Sequence, residues 1–122
     1  MGISLKRLES LSLRELSIIL SQDQKNQGLN KITVTEIRIT NDLSFMTIFY
    51  SYYNSDAETI SKLLEKNKGY LRMELAKRIK ARKMPELIFK LDEALIYGNH
   101  IDDLLKSIHA LISAINNYKN NS

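Results

Sequence analysis

Residues 55–91 read SDAETISKLLEKNKGYLRMELAKRIKARKMPELIFKL, and this stretch decides the fold. Apolar residues recur at helical spacing on both sides of residues 67–69 (NKG), which predicts two helices joined by a short kink. Pro85 ends the second helix near Arg82, because the residue before a proline is disfavoured in the α region. Residues 86–96 then read as a strand. The stretch therefore predicts a helix, a kink, a second helix and a strand.

The residues before this stretch predict one helix and a hairpin. Leucine and isoleucine recur at helical spacing over residues 4–22, which predicts the helix. A β-branched run begins at Lys31 and changes its alternation at residues 35–36, which indicates a strand with both faces covered or with a β-bulge. Residues 41–42 (ND) mark a turn. Residues 45–53 are a second strand, which pairs with the first as a hairpin.

The residues after the stretch predict a terminal helix. The apolar residues between Ile101 and Ile115 have the cleanest helical period in the chain, and Asn99 can cap their helix. We expect an amphipathic helix over residues 99–118 that packs on the same domain, followed by a frayed tail at residues 119–122. The alternative is a protein-interaction or dimerisation module, in which this helix binds a partner or a second copy of the chain.

Length and composition bound the class of protein. The chain has 122 residues, of which 43% are hydrophobic, and it has no cysteine. One domain of this length can bury a core without covalent staples. The lack of cysteine excludes disulfides, zinc sites built on thiolates and cysteine nucleophiles. No apolar run approaches the roughly 20 residues of a membrane span. We therefore expect a cytoplasmic protein that does not insert into membranes.

The charge is distributed unevenly along the chain. Residues 62–83 hold nine basic and two acidic side chains, a local charge of +7, whereas the other 100 residues sum to −3. Such a concentration indicates a face that binds a polyanion such as a nucleic acid. A solvated helix face would have the same composition, so the charge alone does not decide between the two interpretations.

The order of the elements indicates the fold class. Helix, strand, strand, helix, kink, helix and strand is the order of a type II K-homology fold, an α+β domain whose two central helices present a tight loop to single-stranded RNA. That loop ordinarily reads Gly-x-x-Gly, because backbone without side chains can approach phosphates. Only Gly69 is present here. The order thus predicts a K-homology-like RNA-binding domain over residues 1–98, without the usual RNA clamp.

Two motifs resemble the bacterial ribosome-binding factor A family. The first is Gly-x-x-Arg-x-x-Leu at residues 69–75, and the second is Arg-x-x-Pro-Glu-Leu-x-Phe-x-x-Asp at residues 82–92. The resemblance extends from residues 6–8 to residues 98–101 and so covers nearly the whole chain. The family's kink follows the pattern Ala-x-Gly, whereas this chain has Asn67 in place of the alanine.

The resemblance implies a ribosome assembly factor. Such a protein binds the immature small (30S) ribosomal subunit and its 16S rRNA, assists subunit maturation and rRNA processing, supports growth in the cold and is released by a ribosome-associated GTPase. It makes and breaks no bond and needs no cofactor. Lysine and arginine side chains would neutralise phosphates, and the shape of the helices would select an RNA surface. We expect the free chain to be a monomer.

Eight residues in or beside the two central helices are predicted to contact RNA. They are Lys68, Gly69, Arg72, Lys77, Arg78, Lys80, Arg82 and Lys83. Four of them share one arc of a helical projection: Arg72, Lys77, Lys80 and Lys83. The two other arginines lie on the opposite flank and could instead pair with Glu74 or Glu86. Three residues of the first helix could extend the patch, although a solvated face is an equal alternative. They are Lys6, Arg7 and Arg14.

Other chemistries are poorly supported by the sequence. Four aromatic residues of the second strand could stack bases as in an RNA-recognition motif: Phe49, Tyr50, Tyr52 and Tyr53. The glycines of that motif are absent and the strand order differs, so we interpret them as sheet packing. His100 and His109 stand apart without clustered ligands, and no glycine-rich phosphate loop is present. The sequence therefore predicts no catalytic residue, no metal site and no enzyme.

Overall fold

The computed structural model describes residues 4–23, 25 and 27–93. The predicted terminal helix at residues 99–118, the tail at residues 119–122 and both histidines lie outside the described residues. Five main elements and one 3₁₀ turn follow one another along the described chain. They are α1 (Leu5–Ser21), the turn (Leu29–Lys31), β1 (Ile32–Ile39), β2 (Phe45–Tyr52), α2 (Ala57–Ile79) and β3 (Glu86–Leu91).

The three strands form one mixed sheet in the order β1-β2-β3. β1 and β2 pair antiparallel across the turn that follows Thr40, which confirms the predicted hairpin, and β3 pairs parallel to β2. The register of β1 shifts between Val34 and Glu36, which confirms the predicted bulge. Because of this shift, Val34 and Ile37 are both buried although their positions differ in parity.

β3 is shorter than predicted. It ends at Leu91, so the strand prediction is wrong at residues 92–93, and its last part, residues 94–96, lies outside the described residues. The parallel pairing of β3 with β2 stops where Leu91 lies beside Tyr50, two residues before β2 itself ends at Tyr52. α1 agrees with the helix predicted over residues 4–22, and Ser4 caps it by accepting a hydrogen bond from the backbone N–H of Arg7 at 3.2 Å.

Both helices cover the same face of the sheet. α1 packs on β1 and on α2, and α2 packs on β3. One or two fully buried side chains represent each layer of this core: Leu16 of α1, Met46 of β2, Leu71 and Leu75 of α2, and Leu87 of β3. Each such burial stabilises the fold by about 1.5–3 kcal/mol, so the layer between helices and sheet supplies most of the favourable free energy of folding.

α2 runs without interruption from Ala57 to Ile79, so the kink predicted at residues 67–69 is wrong. Leu64 and Leu71, both buried, lie seven residues apart, which is about 20° short of two full helical turns. The apolar stripe therefore keeps its phase across the polar residues between them. Gly69 lies within the helix and does not adopt a positive φ. The observed order is α-β-β-α-β, with one helix where two were predicted.

Asn67 fills the polar gap in the apolar stripe. Its side chain is half-buried, and its Nδ2 donates to the carbonyl oxygen of Leu63, one turn earlier, at 2.9 Å. The same Nδ2 lies 3.5 Å from Oε1 of Gln27, in the segment that follows α1. Because these acceptors satisfy the amide hydrogens, the asparagine is accommodated in the helix interior and does not end the helix.

The C-terminal end of α2 differs from the sequence prediction by three residues. At the other end Asp56 is the N-cap, and its carboxylate accepts a hydrogen bond from the backbone N–H of Thr59 at 2.8 Å. The helix ends before Lys80, which adopts the left-handed conformation with φ 51° and ψ 41°. The predicted end at Arg82 is wrong because this left-handed residue stops the helix one turn earlier.

The carboxylate of Asp23 organises the segment between α1 and β1. It accepts hydrogen bonds from the backbone N–H groups of Gln27 at 3.1 Å, Gly28 at 2.7 Å and Leu29 at 2.8 Å. Partial burial acts to raise the pKa of Asp23, but the backbone donors outweigh it and hold the pKa below its ordinary value. Gly28 has φ 111°, a conformation that glycine adopts readily.

The helical conformation of Gly69 predicts that alanine stabilises the protein. A Cβ atom added at Gly69 would meet no atom within 4 Å. Glycine inside a helix costs about 0.5–1 kcal/mol relative to alanine, so Gly69→Ala should raise the free energy of unfolding by that amount, as measured by urea denaturation. Gly28→Ala is the control and should lower it by about 1 kcal/mol or more, because φ is positive there. Destabilisation by Gly69→Ala would contradict a continuous helix.

The hydrogen bonds of Asp23 predict a pH-dependent contribution to stability. Asp23→Ala should lower the free energy of unfolding near neutral pH by about 1–3 kcal/mol, because three backbone N–H groups lose a charged acceptor. The folded-state pKa lies below the ordinary value of 3.8, so this stability is fully present above that pH and is lost as the pH falls through the folded-state pKa.

Urea denaturation of the wild type and of Asp23→Ala over a series of pH values checks this. The difference between them should stay constant down to about pH 4 and shrink below it. Asp23→Asn keeps one acceptor oxygen without the charge, so its stability should lie between the two. A difference that does not shrink in acid would contradict a stabilising role for the ionised carboxylate.

Candidate nucleic-acid interface

The side of α2 turned away from the sheet carries an outer lysine face, made of Lys62, Lys66, Lys77 and Lys80. At 100° per residue these four positions fall within an arc of about 60°. All four residues are exposed. Lys62 pairs with Glu58 at 3.0 Å and Lys77 with Glu74 at 3.4 Å. Lys66 and Lys80 make no ion pair with any described residue. Exposed ion pairs such as those of Lys62 and Lys77 contribute little to stability.

Gly69 lies on the same side of the helix, between Lys66 and Met73. Tyr70 and Met73, the large apolar side chains of α2 that are exposed, are 47% and 50% accessible. The outer lysine face therefore surrounds a short section where the helix backbone is open at a glycine and flanked by two apolar side chains.

Arg72 contacts the loop that follows α2. Its guanidinium donates to the carbonyl oxygens of Met84 at 2.5 Å and Pro85 at 2.9 Å. These two bonds hold the loop against the helix about two turns before its end at Ile79. They use two of the five N–H donors of the guanidinium. Arg72 thus positions the loop that carries Arg82 and Lys83.

Lys83 lies beside the hairpin turn and not on the helix. Its Nζ donates to the backbone carbonyl oxygen of Asp42 at 3.3 Å. Hydrogen bonds from Thr40 and Ser44 lower the pKa of Asp42 to about 2, and the charge of Lys83 acts in the same direction. The predicted arc of four basic residues is wrong, because the helix ends at Ile79 and Lys83 leaves its axis.

Lys68 faces β3, away from the outer lysine face. Its ammonium lies 3.2 Å from the carboxylate of Glu65 and 6.0 Å from the centre of the Phe89 ring. A cation over an aromatic face is stabilised by the ring quadrupole. Lys68 and Gly69, adjacent in sequence and both predicted to contact RNA, therefore lie on different sides of α2.

Arg78 links the two helices. Its guanidinium donates to Oε1 of Glu15 at 3.4 Å and to Oε1 of Gln22 at 3.3 Å, both on or just after α1. The sequence offered Glu74 or Glu86 as the alternative partner, and neither is the partner observed. Arg82 is exposed and makes no ion pair with any residue in the described part of the chain.

The structure leaves the basic residues of α1 exposed. Lys6, Arg7 and Arg14 form no ion pair with a described residue. Lys62 and Lys66 were not among the predicted site residues, although both belong to the basic segment at residues 62–83. The kink placed these lysines on a different helix from Lys77, whereas a continuous helical phase brings them together on one face.

The described residues offer little for other chemistries. No three His, Cys, Asp or Glu side chains among them are grouped so as to hold a metal ion. None of the described helices has the length and hydropathy needed to cross a membrane. Tyr50 is buried in the core and Tyr52, at the end of β2, is half-buried against it, which confirms packing for these two rings. The arrangement as a whole can attract and position a polyanion.

Comparisons with known proteins agree with the motifs. The family described as Ribosome-binding factor A matches residues 4–105. The chain is 44% identical over 113 residues to ribosome-binding factor A of Phytoplasma mali (strain AT), an alignment that covers 89% of this chain and 99% of that protein.

Two solved structures share the fold. The crystal structure of ribosome-binding factor A from Thermus thermophilus has a TM-score of 0.64 at 22% identity and covers 73% of this chain and 97% of that one. A homology model of the Thermus thermophilus factor, fitted into the cryo-EM map of its complex with 30S, has a TM-score of 0.59 at 23% identity. It covers 71% of this chain and 93% of that one. This likeness confirms the α+β fold class and is consistent with a K-homology-like domain.

The family match extends over most of the described chain and into the terminal residues beyond it. It includes both motifs that carry the resemblance to the family, at residues 69–75 and 82–92. On this match and on the identity to the Phytoplasma protein, the chain belongs to the ribosome-binding factor A family.

Proposed function

We propose that this chain is a ribosome-binding factor that associates with the small (30S) ribosomal subunit and its 16S rRNA and assists subunit maturation and rRNA processing. Membership of the family supports the proposal, as does the complex with 30S of the Thermus thermophilus factor, whose fold it shares. The observation that carries it here is the outer lysine face: exposed cations on one side of a long, uninterrupted helix.

The geometry of α2 suits a phosphate backbone. Lys62 and Lys80 are 18 residues apart, so at 1.5 Å per residue the outer lysine face extends for about 27 Å, the length of several nucleotides. Lysine is a flexible point charge that follows a phosphate without fixing its orientation. Contacts of this kind release counterions and supply affinity that does not depend on base sequence.

The protein acts by binding and not by catalysis, and it takes no cofactor. Three carboxylates of the described chain already serve the backbone: Asp23, Asp42 and Asp56 each accept hydrogen bonds from main-chain N–H groups. A carboxylate held ionised in this way is a weak general base. The proposal also includes release of this protein from the small subunit by a ribosome-associated GTPase. In it, the free protein is a monomer in the cytoplasm.

The outer lysine face predicts a salt-dependent affinity that falls when its charge is removed. A triple variant, Lys66→Gln, Lys77→Gln and Lys80→Gly, should bind purified small subunits at least tenfold more weakly. Its plot of log K against log salt should be less steep by roughly 0.7–0.9 for each lysine that no longer neutralises a phosphate. Co-sedimentation with small subunits over a series of potassium chloride concentrations measures both quantities.

The matched control removes three cations elsewhere: Lys31→Gln, Arg38→Gln and Lys90→Gln. Its net charge equals that of the first triple, but the cations that it removes lie outside the outer lysine face. It should therefore change affinity and salt slope much less. Equal losses in both triples would mean that net charge, and not this face, recognises the subunit. Normal binding by the first triple would contradict the proposed interface.

Lys80 allows charge and stability to be separated. Because it has φ 51°, a conformation that costs a residue with a Cβ atom about 1 kcal/mol, Lys80→Gly should keep or raise the free energy of unfolding by up to that amount. The same substitution should weaken binding to small subunits. Urea denaturation and co-sedimentation on one preparation measure the two effects. Weaker binding accompanied by lower stability would contradict a direct contact.

A further inference from the structure

A small cavity opens where the end of α1, the segment after it and the middle of α2 meet. Its volume is about 190 Å³, and two apolar side chains, Ile19 and Leu29, contribute to its lining. The remaining lining comprises two charged side chains, Asp23 and Lys25, and four uncharged ones, which are Gln22, Gln27, Asn67 and Tyr70. The cavity is smaller than pockets for drug-sized ligands, which begin at about 300 Å³, and it suits a single planar ring system.

Three amide side chains line the cavity, and each has one polar group that forms no hydrogen bond with another described residue. Oε1 of Gln22 accepts from Arg78, Oε1 of Gln27 accepts from Asn67, and Nδ2 of Asn67 also donates to Leu63. The NH₂ groups of both glutamines and the Oδ1 of the asparagine make no hydrogen bond to another described residue. The amides that line the cavity therefore carry two donor groups and one acceptor that no described residue engages.

An aromatic ring and open backbone adjoin these amides. Tyr70 lines the cavity while remaining 47% exposed, so one side of its ring is accessible. Lys66 lies four residues before it, on the same side of the helix. Gly69 leaves the helix backbone open beside the ring. Asp23, the acidic residue of the lining, is already engaged by three backbone N–H groups and so does not select a cation.

We propose that this cavity takes one unpaired nucleobase of single-stranded RNA, whose edge bonds the free amide groups and whose face stacks on Tyr70. Bases displayed in single strands are recognised by hydrogen bonds to their edges and by stacking on aromatic side chains. The neighbouring Lys66 would contact the phosphate of the same strand, which passes Gly69 where no side chain obstructs it. The inference rests on the proposed function, to which it adds a base-binding site outside the lysine contacts.

The experiment compares two RNA ten-mers that differ only in their bases. One is a uridine ten-mer with 2-aminopurine at its centre, and the other carries abasic riboses at all ten positions. Fluorescence anisotropy with the purified full chain measures both affinities, and 2-aminopurine emission reports stacking directly. The wild type should bind the base-containing RNA roughly tenfold or more tightly, with quenched emission, because stacking on an aromatic residue is worth that much.

The variants assign the difference to Tyr70. Tyr70→Ala should bind both ten-mers with equal affinity, whereas Tyr70→Phe should keep the preference and the quenching. Tyr53→Ala is the matched control, since Tyr53 is 62% exposed just after β2 and does not contribute to the cavity lining. Melting temperatures of all variants verify that the fold is kept. A wild type that does not distinguish the two RNAs, or a preference that survives in Tyr70→Ala, would overturn the inference.

The outer-lysine-face triple variant distinguishes this failure from failure of the proposed function. If the triple loses affinity for both ten-mers while the wild type shows no base preference, the base site is wrong and the phosphate interface stands. If the wild type binds neither RNA nor small subunits, both are wrong. If Tyr70→Ala weakens binding to small subunits but to neither RNA, the cavity takes a protein side chain, and the inference is overturned.

Discussion

The whole described structure depends on α2 keeping one apolar side against the sheet for its full 23 residues. Ile60, Leu64, Leu71, Leu75 and Ile79 are all buried along that side. If the apolar side of the helix rotated away from the sheet at any point, about half of these side chains would become exposed to water. Each exposure would cost about 1.5–3 kcal/mol. The packing therefore fixes the rotation of the helix, and with it the residues that must face outward.

The same constraint separates the cations of the basic segment into two kinds. Arg72 and Arg78 turn toward other elements and bond carbonyl or amide oxygens with their forked donors. Lys66, Lys77 and Lys80 project from the outer side, where a flexible ammonium remains hydrated. A count of nine basic residues in the sequence thus overstates the charge available to a ligand, because part of it holds the domain together.

Local patterns predicted the parts of the fold that local physics determines. The hairpin, the bulge and α1 follow from periodicity and turn residues. The kink prediction failed because polar residues at 67–69 interrupt the composition of the stripe without interrupting its phase. Asn67 satisfies its own amide within the helix, and Gly69 costs less than the burial on either side of it contributes.

The candidate site was only partly accessible to sequence reasoning. Helical phase alone would have placed Lys62 and Lys66 beside Lys77, had the helix been taken as continuous. The contacts of Arg72 with the carbonyls of residues 84–85, and those of Arg78 with α1, arise only when distant segments meet, so no pattern in the chain predicts them. The cavity beside Tyr70 depends in the same way on residues some 40 positions apart.

Two features of α2 are locally unfavourable, and both lie on its outer side. Gly69 forgoes about 0.5–1 kcal/mol of helix stability, although a Cβ atom there would touch nothing. Lys80 occupies a left-handed position that glycine would fill at lower cost. Packing requires neither residue. The RNA-binding role that we propose for this surface accounts for both, because the glycine leaves the backbone open and the lysine keeps a charge at the end of the outer lysine face. Local conformational cost thus supports the proposed interface in addition to charge.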